Sequence, residues 1–128
     1  MKENIGLLLL RLFSGLTMLL AHGWPKLMDF TTRKDSFPDP IGLGSPVSLA
    51  LVVFAEVVCA LLIVAGVFTR WVAIPLFITM AVAFFVIHGA DPFQKRELAF
   101  IFMGMYAVLS FTGGGAYSVD AILGRKKG

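Results

Sequence analysis

Cysteine occurs once in this chain and histidine twice. With Cys59 alone, the chain can form no intramolecular disulfide, no CxxC redox pair and no cysteine-built zinc site, and its expected role is packing. Charge is scarce too: Asp, Glu, Lys and Arg make up 15% of the 128 residues against 58% hydrophobic ones, with a mean hydropathy of +0.86. A soluble domain carries roughly 25% charged and 45–50% apolar residues, so this composition excludes the soluble class and points to a membrane protein. No glycine-rich nucleotide motif follows a strand, no convincing strand is present, and no basic patch is interleaved with aromatics. Nucleotide cofactors and nucleic-acid partners are therefore not expected.

The few charges cluster at Lys26 to Asp39, Asp91 to Glu97 and Arg125 to Lys127, and the stretches between them hold almost none. Those stretches predict transmembrane helices at 5–22, 47–67, 71–88 and 97–112. The expected fold class is all-α: an antiparallel four-transmembrane-helix bundle forming one domain over residues 1–128. The fourth span is the weakest, since its ~15 residues reach only ~23 Å across a hydrocarbon layer of ~30 Å. Gly113-Gly114-Gly115 ends it. A short amphipathic segment is expected to follow, capped at Ser118 and ending in the basic tail Arg125-Lys126-Lys127, which suits a lipid surface. A signal-peptide reading of the first span is set aside, because Arg11 interrupts its apolar stretch and no A-x-A-like cleavage site follows at Leu19-Leu20-Ala21. Basic residues near the span ends divide equally between the two sides, so charge alone assigns no orientation.

Within these spans the ionisable residues stand out. Glu56 sits in the apolar run LVVFAEVVCALLIV, residues 51–64, where an acid facing lipid would cost roughly 2.5–3.5 kcal/mol. It is expected to face the interior and to be paired. On the first span, Arg11, Gly15, Met18 and His22 fall on one helical stripe, which makes Arg11 the expected partner in a buried Arg11–Glu56 ion pair. At the opposite end, alternating helix direction brings His22, His88 and Glu97 to one level, with Lys26 and Asp91 nearby and Phe77 and Phe84 below as an aromatic wall.

Three chemistries suit such a mouth. A metal would have His22, His88 and a carboxylate as donors, but no HxxxH or ExxH spacing supports one and a metal is not expected. A proton-coupled site would use Glu56 or the histidines. A quinone or similar apolar ligand would take hydrogen bonds from His22 or His88, lie against the aromatic side chains and enter through the membrane.

The ordered stretches LLRLFSGLTMLLAHGWPKL, FAEVVCALLIVAGVFTR, ITMAVAFFVIHG and ELAFIFMGMYAVLSFTGGGAYSVDAIL resemble the DoxX family of small four-helix bacterial membrane proteins. The resemblance covers almost the whole chain, and Arg11, His22, Gly23, Lys26, Glu56, Gly66, Thr69, Arg70, His88, Glu97, Gly113, Gly115, Ser118 and Asp120 match its pattern. It implies a bacterial or archaeal cytoplasmic membrane with both termini in the cytoplasm and the His22, His88 and Glu97 mouth outside. It also implies membrane oxidoreductase activity linked to quinones or redox stress, as in archaeal thiosulfate:quinone oxidoreduction, with a second subunit or redox partner protein.

The expected function is thus an oxidoreductase component holding a quinone at His22, Lys26, His88, Glu97, Phe77 and Phe84, above a buried Arg11–Glu56 pair. Two alternatives stay open: a small proton-coupled exporter of hydrophobic compounds, and a non-catalytic membrane scaffold for soluble redox enzymes. Membrane lipids and a second copy of the chain are further expected partners.

Overall fold

In the computed structural model, which describes residues 2–124, four long helices carry the fold. The basic tail expected at Arg125 to Lys127 lies outside the described residues. Helix α1 runs over Lys2–Met28, α2 over Ser45–Ala65 and α3 over Thr69–Ile87, and α4 over Phe93–Thr112. Among the described residues, α1 to α3 are long and apolar enough to cross a membrane. The first turns of α4 carry Lys95, Arg96 and Glu97, and the uncharged remainder from Leu98 to Thr112 spans only ~22 Å.

Helix α1 extends well past the boundary expected at residue 22, through Trp24-Pro25-Lys26. Proline inside a helix lacks the N–H of its own turn and crowds the carbonyl four residues earlier. Here the preceding stretch, Met18–Gly23, is wound as a π turn, and that wider winding accommodates Pro25 without ending the helix. Two further π turns lie at Phe54–Cys59 in α2 and Ala83–Ile87 in α3. The widened turns of α1 and α2 pack directly on each other, and the body of α3 packs on that of α2.

Connections differ in stiffness. Between α2 and α3 the chain turns within three residues: Gly66, at φ 77°, takes the left-handed position that other residues resist, and Val67 N–H bonds back to Leu62 O at 2.9 Å. The α1–α2 connection is longer and is tied down by Asp39, whose carboxylate accepts from Leu43 N at 3.0 Å, Gly44 N at 2.9 Å and Ser48 Oγ at 2.8 Å. Those bonds, the one from Ser48 foremost, hold the Asp39 carboxyl below the usual carboxylate range.

Side chains sort by face as they do in a lipid-embedded protein. Met18, Ala55, Cys59, Ile63, Leu76, Met80, Phe102, Tyr106 and Leu109 form the core, whereas Phe13, Leu20, Trp71, Ile78 and Phe85 lie exposed, and Phe111 is 83% exposed. In water that much outward apolar surface would be a liability; against acyl chains it is solvated.

After α4 the chain returns over the end of the molecule that carries residue 2. Ser118 caps the single turn Val119–Ile122, its hydroxyl accepting from Ala121 N at 3.2 Å. The acid of that turn, Asp120, is fully buried rather than turned to a lipid surface. Its carboxylate accepts from Thr69 N at 3.4 Å, at the start of α3, and its own N–H donates to Gly66 O at 3.1 Å.

Candidate functional site

Helical side chains lean toward the N-terminus of their own helix, and this direction decides which cation meets Glu56. Helix α2 begins at the end of the molecule where α1 finishes, so Glu56 leans toward that end. Lys26, on the last turns of α1, leans inward to meet it. Arg11 leans the other way, toward residue 2. The ion pair is accordingly Lys26–Glu56, with Nζ 2.8 Å from Oε1, and not the expected Arg11–Glu56. The pair is well sheltered, with side-chain exposure of 18% for Lys26 and 4% for Glu56. Lys26 Nζ also lies 3.5 Å from the His22 carbonyl oxygen, one turn back.

Arg11, itself 1% exposed, is occupied elsewhere. Its Nε donates to Gly114 O at 3.1 Å and Nη1 to Val64 O at 2.9 Å and Ile63 O at 3.4 Å, while Nη2 donates to Tyr117 O. Carbonyls at the end of α2 lack helical partners, so Arg11 satisfies them and pins the returning C-terminal segment at once. It is a structural cation at the opposite end of the molecule from the Lys26–Glu56 pair.

Gly23 makes the site possible. A Cβ at this position would run into the backbone carbonyl of Glu56 and sit 3.0 Å from Val57 Cγ2. The absent side chain lets α1 lie against the widened turn of α2, which places Lys26 within reach of Glu56.

Two cavities open on either side of the pair. A cleft of about 300 Å³ runs between α2 and α3 under the α1–α2 connection, with Phe37, Pro38 and Ile41 over it, Leu51, Ile78 and Val82 along it, and Lys26, Glu56 and His88 as its charged and titratable groups. A second cavity of about 210 Å³ faces α1, α3 and α4 and is lined by Met18, His22, Lys95, Leu98, Ala99 and Phe102 as well as by Lys26, Glu56 and His88.

Three of the expected ligand residues, His22, Lys26 and His88, thus line this region; the other three do not. Glu97 stays on the exposed side of α4 and lines neither cavity. Lys95, Leu98, Ala99 and Phe102 form the cavity-lining stripe of that helix, with Lys95 and Leu98 themselves exposed at its edge, and Glu97, two residues past Lys95, is turned about 200° away from Lys95. Phe77 packs against the hydrophobic core. Phe84 belongs to a separate aromatic cluster with Phe85, Phe93 and Phe100, its ring 4.3 Å beneath the Arg96 guanidinium. The aromatic group that does face the cavities' histidines is Phe102, edge-to-face with His22 at 5.7 Å. His88 sits at the rim, its Nδ1 2.9 Å from Asp91 Oδ2.

Sequence reasoning used Glu56 as a titrating group only in the proton-coupled reading and otherwise set it in a pair beneath the pocket, and it missed Phe102, Lys95 and the covering segment at Phe37 to Ile41. One signal was available: Lys26 continues the stripe of Arg11, Gly15, Met18 and His22 by one further turn. Pro25 concealed it, because a proline after Gly23-Trp24 reads as a helix stop.

Comparison with known proteins adds the family. The DoxX family model matches residues 6–89, which cover α1 from Gly6 onward, all of α2 and α3, and every residue of the Lys26–Glu56 site except those from α4. An uncharacterized protein of Haemophilus influenzae is 30% identical over 110 residues, covering 80% of each chain. No solved structure matches. With the match running through His22, Gly23, Lys26, Glu56 and His88, the chain belongs to the DoxX family of membrane proteins.

Proposed function

We propose that this protein is the membrane-embedded, ligand-binding component of an oxidoreductase system, and that its ligand is a quinone or a similar ring-carbonyl compound held in the cleft between α2 and α3. One observation carries the reading: a largely apolar cleft of about 300 Å³ runs to a sheltered ammonium–carboxylate pair. Small-molecule sites are commonly apolar with a few converging polar groups, and this volume is at the lower end of their range of ~300–1,000 Å³. A ring head group fills it, while an alkyl tail leaves past the exposed side chains of Leu51 and Ile78 into lipid. In that pose the Lys26 ammonium donates to a ring carbonyl, and Glu56 accepts from the hydroxyl of the reduced form.

The proposal extends to architecture. All four long helices cross a cytoplasmic membrane as an antiparallel bundle, both termini lie in the cytoplasm, and the two cavities open toward the outer side. With Cys59 as the single cysteine the chain has no thiol pair of its own, and the electrons come through the quinone from a partner protein. Among the described residues, no three His, Cys, Asp or Glu side chains are grouped as a metal would need.

Decylubiquinone binding to the purified protein in lipid nanodiscs tests the reading. Lys26→Met and His88→Ala are expected to weaken it about ten-fold or more, which is about 1.4 kcal/mol or more, and Phe84→Ala to leave it unchanged. Wild-type protein that takes up no more quinone than empty nanodiscs would end it.

A further inference from the structure

The two cavities have a common wall. It consists of Lys26, Glu56, Met80, Ala83 and His88. Two of these, Met80 and Ala83, can hold no proton. His88 stands at the half-exposed rim, with its Nδ1 engaged by Asp91. Deep in the wall, the groups able to carry a proton from one cavity to the other are Lys26 and Glu56.

Their surroundings are asymmetric. On the cleft side the neighbours are Leu51, Val52, Ile78 and Val82. On the other side the second cavity is lined by His22 and Lys95 as well as by the pair, and this more polar lining makes it the vestibule. Lys26 has two acceptors within reach, Glu56 Oε1 at 2.8 Å and the His22 carbonyl at 3.5 Å. Its ammonium can therefore leave the carboxylate and remain hydrogen-bonded one turn back along α1.

We infer that the Lys26–Glu56 pair is a proton gate between the vestibule and the ligand cleft. The inference rests on the reading that a ring-carbonyl ligand occupies the cleft. The Glu56 carboxylate takes one proton from a hydronium ion in the vestibule, leaving water, and Lys26 shifts to the His22 carbonyl. Glu56 then gives that proton to an anionic ring oxygen of the ligand; one O–H bond breaks, another forms, and the Lys26–Glu56 contact closes again. No electron moves in this step. The charged and titratable groups facing Glu56 are His22 and Lys26 from α1, Lys95 and Tyr106 from α4, and His88 after α3. Among them Tyr106 is committed to the Ser14 carbonyl at 3.0 Å. The gate assigns a side to the chemistry: protons reach the ligand from the vestibule end, never from the Arg11 end.

A 3-alkyl-2-hydroxy-1,4-naphthoquinone tests this, because its ring hydroxyl changes the visible spectrum when it ionises. With the probe bound to the protein in nanodiscs, a downward pH jump in a stopped-flow instrument reads how fast the bound anion is protonated. With the probe saturating, Glu56→Gln is expected to slow that step about 100-fold. Glu56→Asp restores most of the rate, and Glu97→Gln, an exposed carboxylate that lines neither cavity, leaves it near wild type. Time-resolved infrared spectroscopy on the wild type, which needs no variant to fold, is expected to show the C=O stretch of a protonated carboxylic acid before the colour change.

An unaltered rate in Glu56→Gln with the probe saturating, or slowing in Glu97→Gln as large as in Glu56→Gln, overturns the gate and leaves the binding site standing. Absence of the carboxylic-acid band in the wild type does the same. A wild type that does not bind the probe overturns the site and the gate together.

Discussion

The Lys26–Glu56 pair yields a prediction whose two halves differ in size. Removing the cation with Lys26→Met leaves a carboxylate whose side chain is 4% exposed, with its 2.8 Å partner gone. Breaking a buried pair from one side costs about 3–5 kcal/mol, and the lower figure, about 3 kcal/mol, applies where a cavity lets water approach. Glu56→Gln is milder. The remaining ammonium sits on a flexible stem, is 18% exposed, and already has the His22 carbonyl within reach, so the cost is about 1 kcal/mol. In the double variant neither charge remains, and the loss is about 2 kcal/mol, mostly altered packing and one lost hydrogen bond. The coupling between the two positions is then about 2 kcal/mol, well outside the ~0.5 kcal/mol within which independent sites add. Reversible unfolding by SDS titration in mixed micelles measures each corner of the cycle. Additive losses, or a larger cost for Glu56→Gln than for Lys26→Met, would refute the argument. A parallel cycle between Arg11 and Glu56 is expected to be additive, because their side chains lean to opposite ends of the molecule.

Three further perturbations follow from the same geometry. Arg11→Lys keeps the charge but cannot serve carbonyls of Ile63, Val64, Gly114 and Tyr117 together; each buried carbonyl left unpaired costs about 1–3 kcal/mol, and limited proteolysis should find the chain newly cleavable near Tyr117. Gly23→Ala drives a methyl into the Glu56 carbonyl and should cost about 1–3 kcal/mol through forced separation of α1 and α2; its signature is that Lys26→Met then destabilises much less than in the parent, which the SDS titration reads directly. Asp39 supplies the pH dependence. Its bonds to Ser48, Gly44 and Leu43 depress the folded carboxyl below its ordinary value, so its contribution is complete above about pH 4 and disappears as pH falls through the lower folded value. Amide hydrogen exchange at Leu43 and Gly44 should therefore accelerate below about pH 4 in the wild type, be fast at every pH in Asp39→Ala, and not follow any group on α4.

Much of the fold could be read from composition and spacing, because in a membrane the apolar lengths are set by bilayer thickness and the chain must use helices. The boundary of α1 was the exception. Gly23-Trp24-Pro25 carries two helix-breaking residues, and only the π winding at Met18–Gly23 lets the helix pass through them to Met28. Such winding depends on packing against the equally widened turn of α2, a tertiary condition that no local pattern announces. The same cause hid the Lys26–Glu56 pairing, though not the ligand residues His22, Lys26 and His88. Once the helix is read as ending at residue 22, Lys26 counts as a loop residue, and Arg11 is the remaining cation on that helix for Glu56.

The choice between two cations turns on direction rather than depth. The stripe on α1 faces Arg11 inward toward Glu56, yet a shared face omits the lean of each side chain toward its helix N-terminus. For antiparallel neighbours the rule has a simple consequence: a long side chain late in one helix and a residue in the first half of the next lean toward each other, whereas an early residue on the first helix leans away. Lys26 and Glu56 satisfy the first condition, Arg11 and Glu56 the second. The sorting also separates two jobs that buried cations do in lipid. Arg11 has a planar fork that serves several carbonyls at once, which suits a fixed anchor for a returning chain end. Lys26 is a single ammonium on a flexible stem with two acceptors in range, which suits a contact that must open. Exchanging the two side chains, by combining Arg11→Lys with Lys26→Arg in one chain, should therefore lose both the anchor and the mobility of the gate, although the net charge and the number of buried cations are unchanged. Proteolysis near Tyr117 reads the first loss and the stopped-flow protonation rate the second; a double variant that matches wild type in both would show that charge alone, and not the shape of each cation, decides these positions.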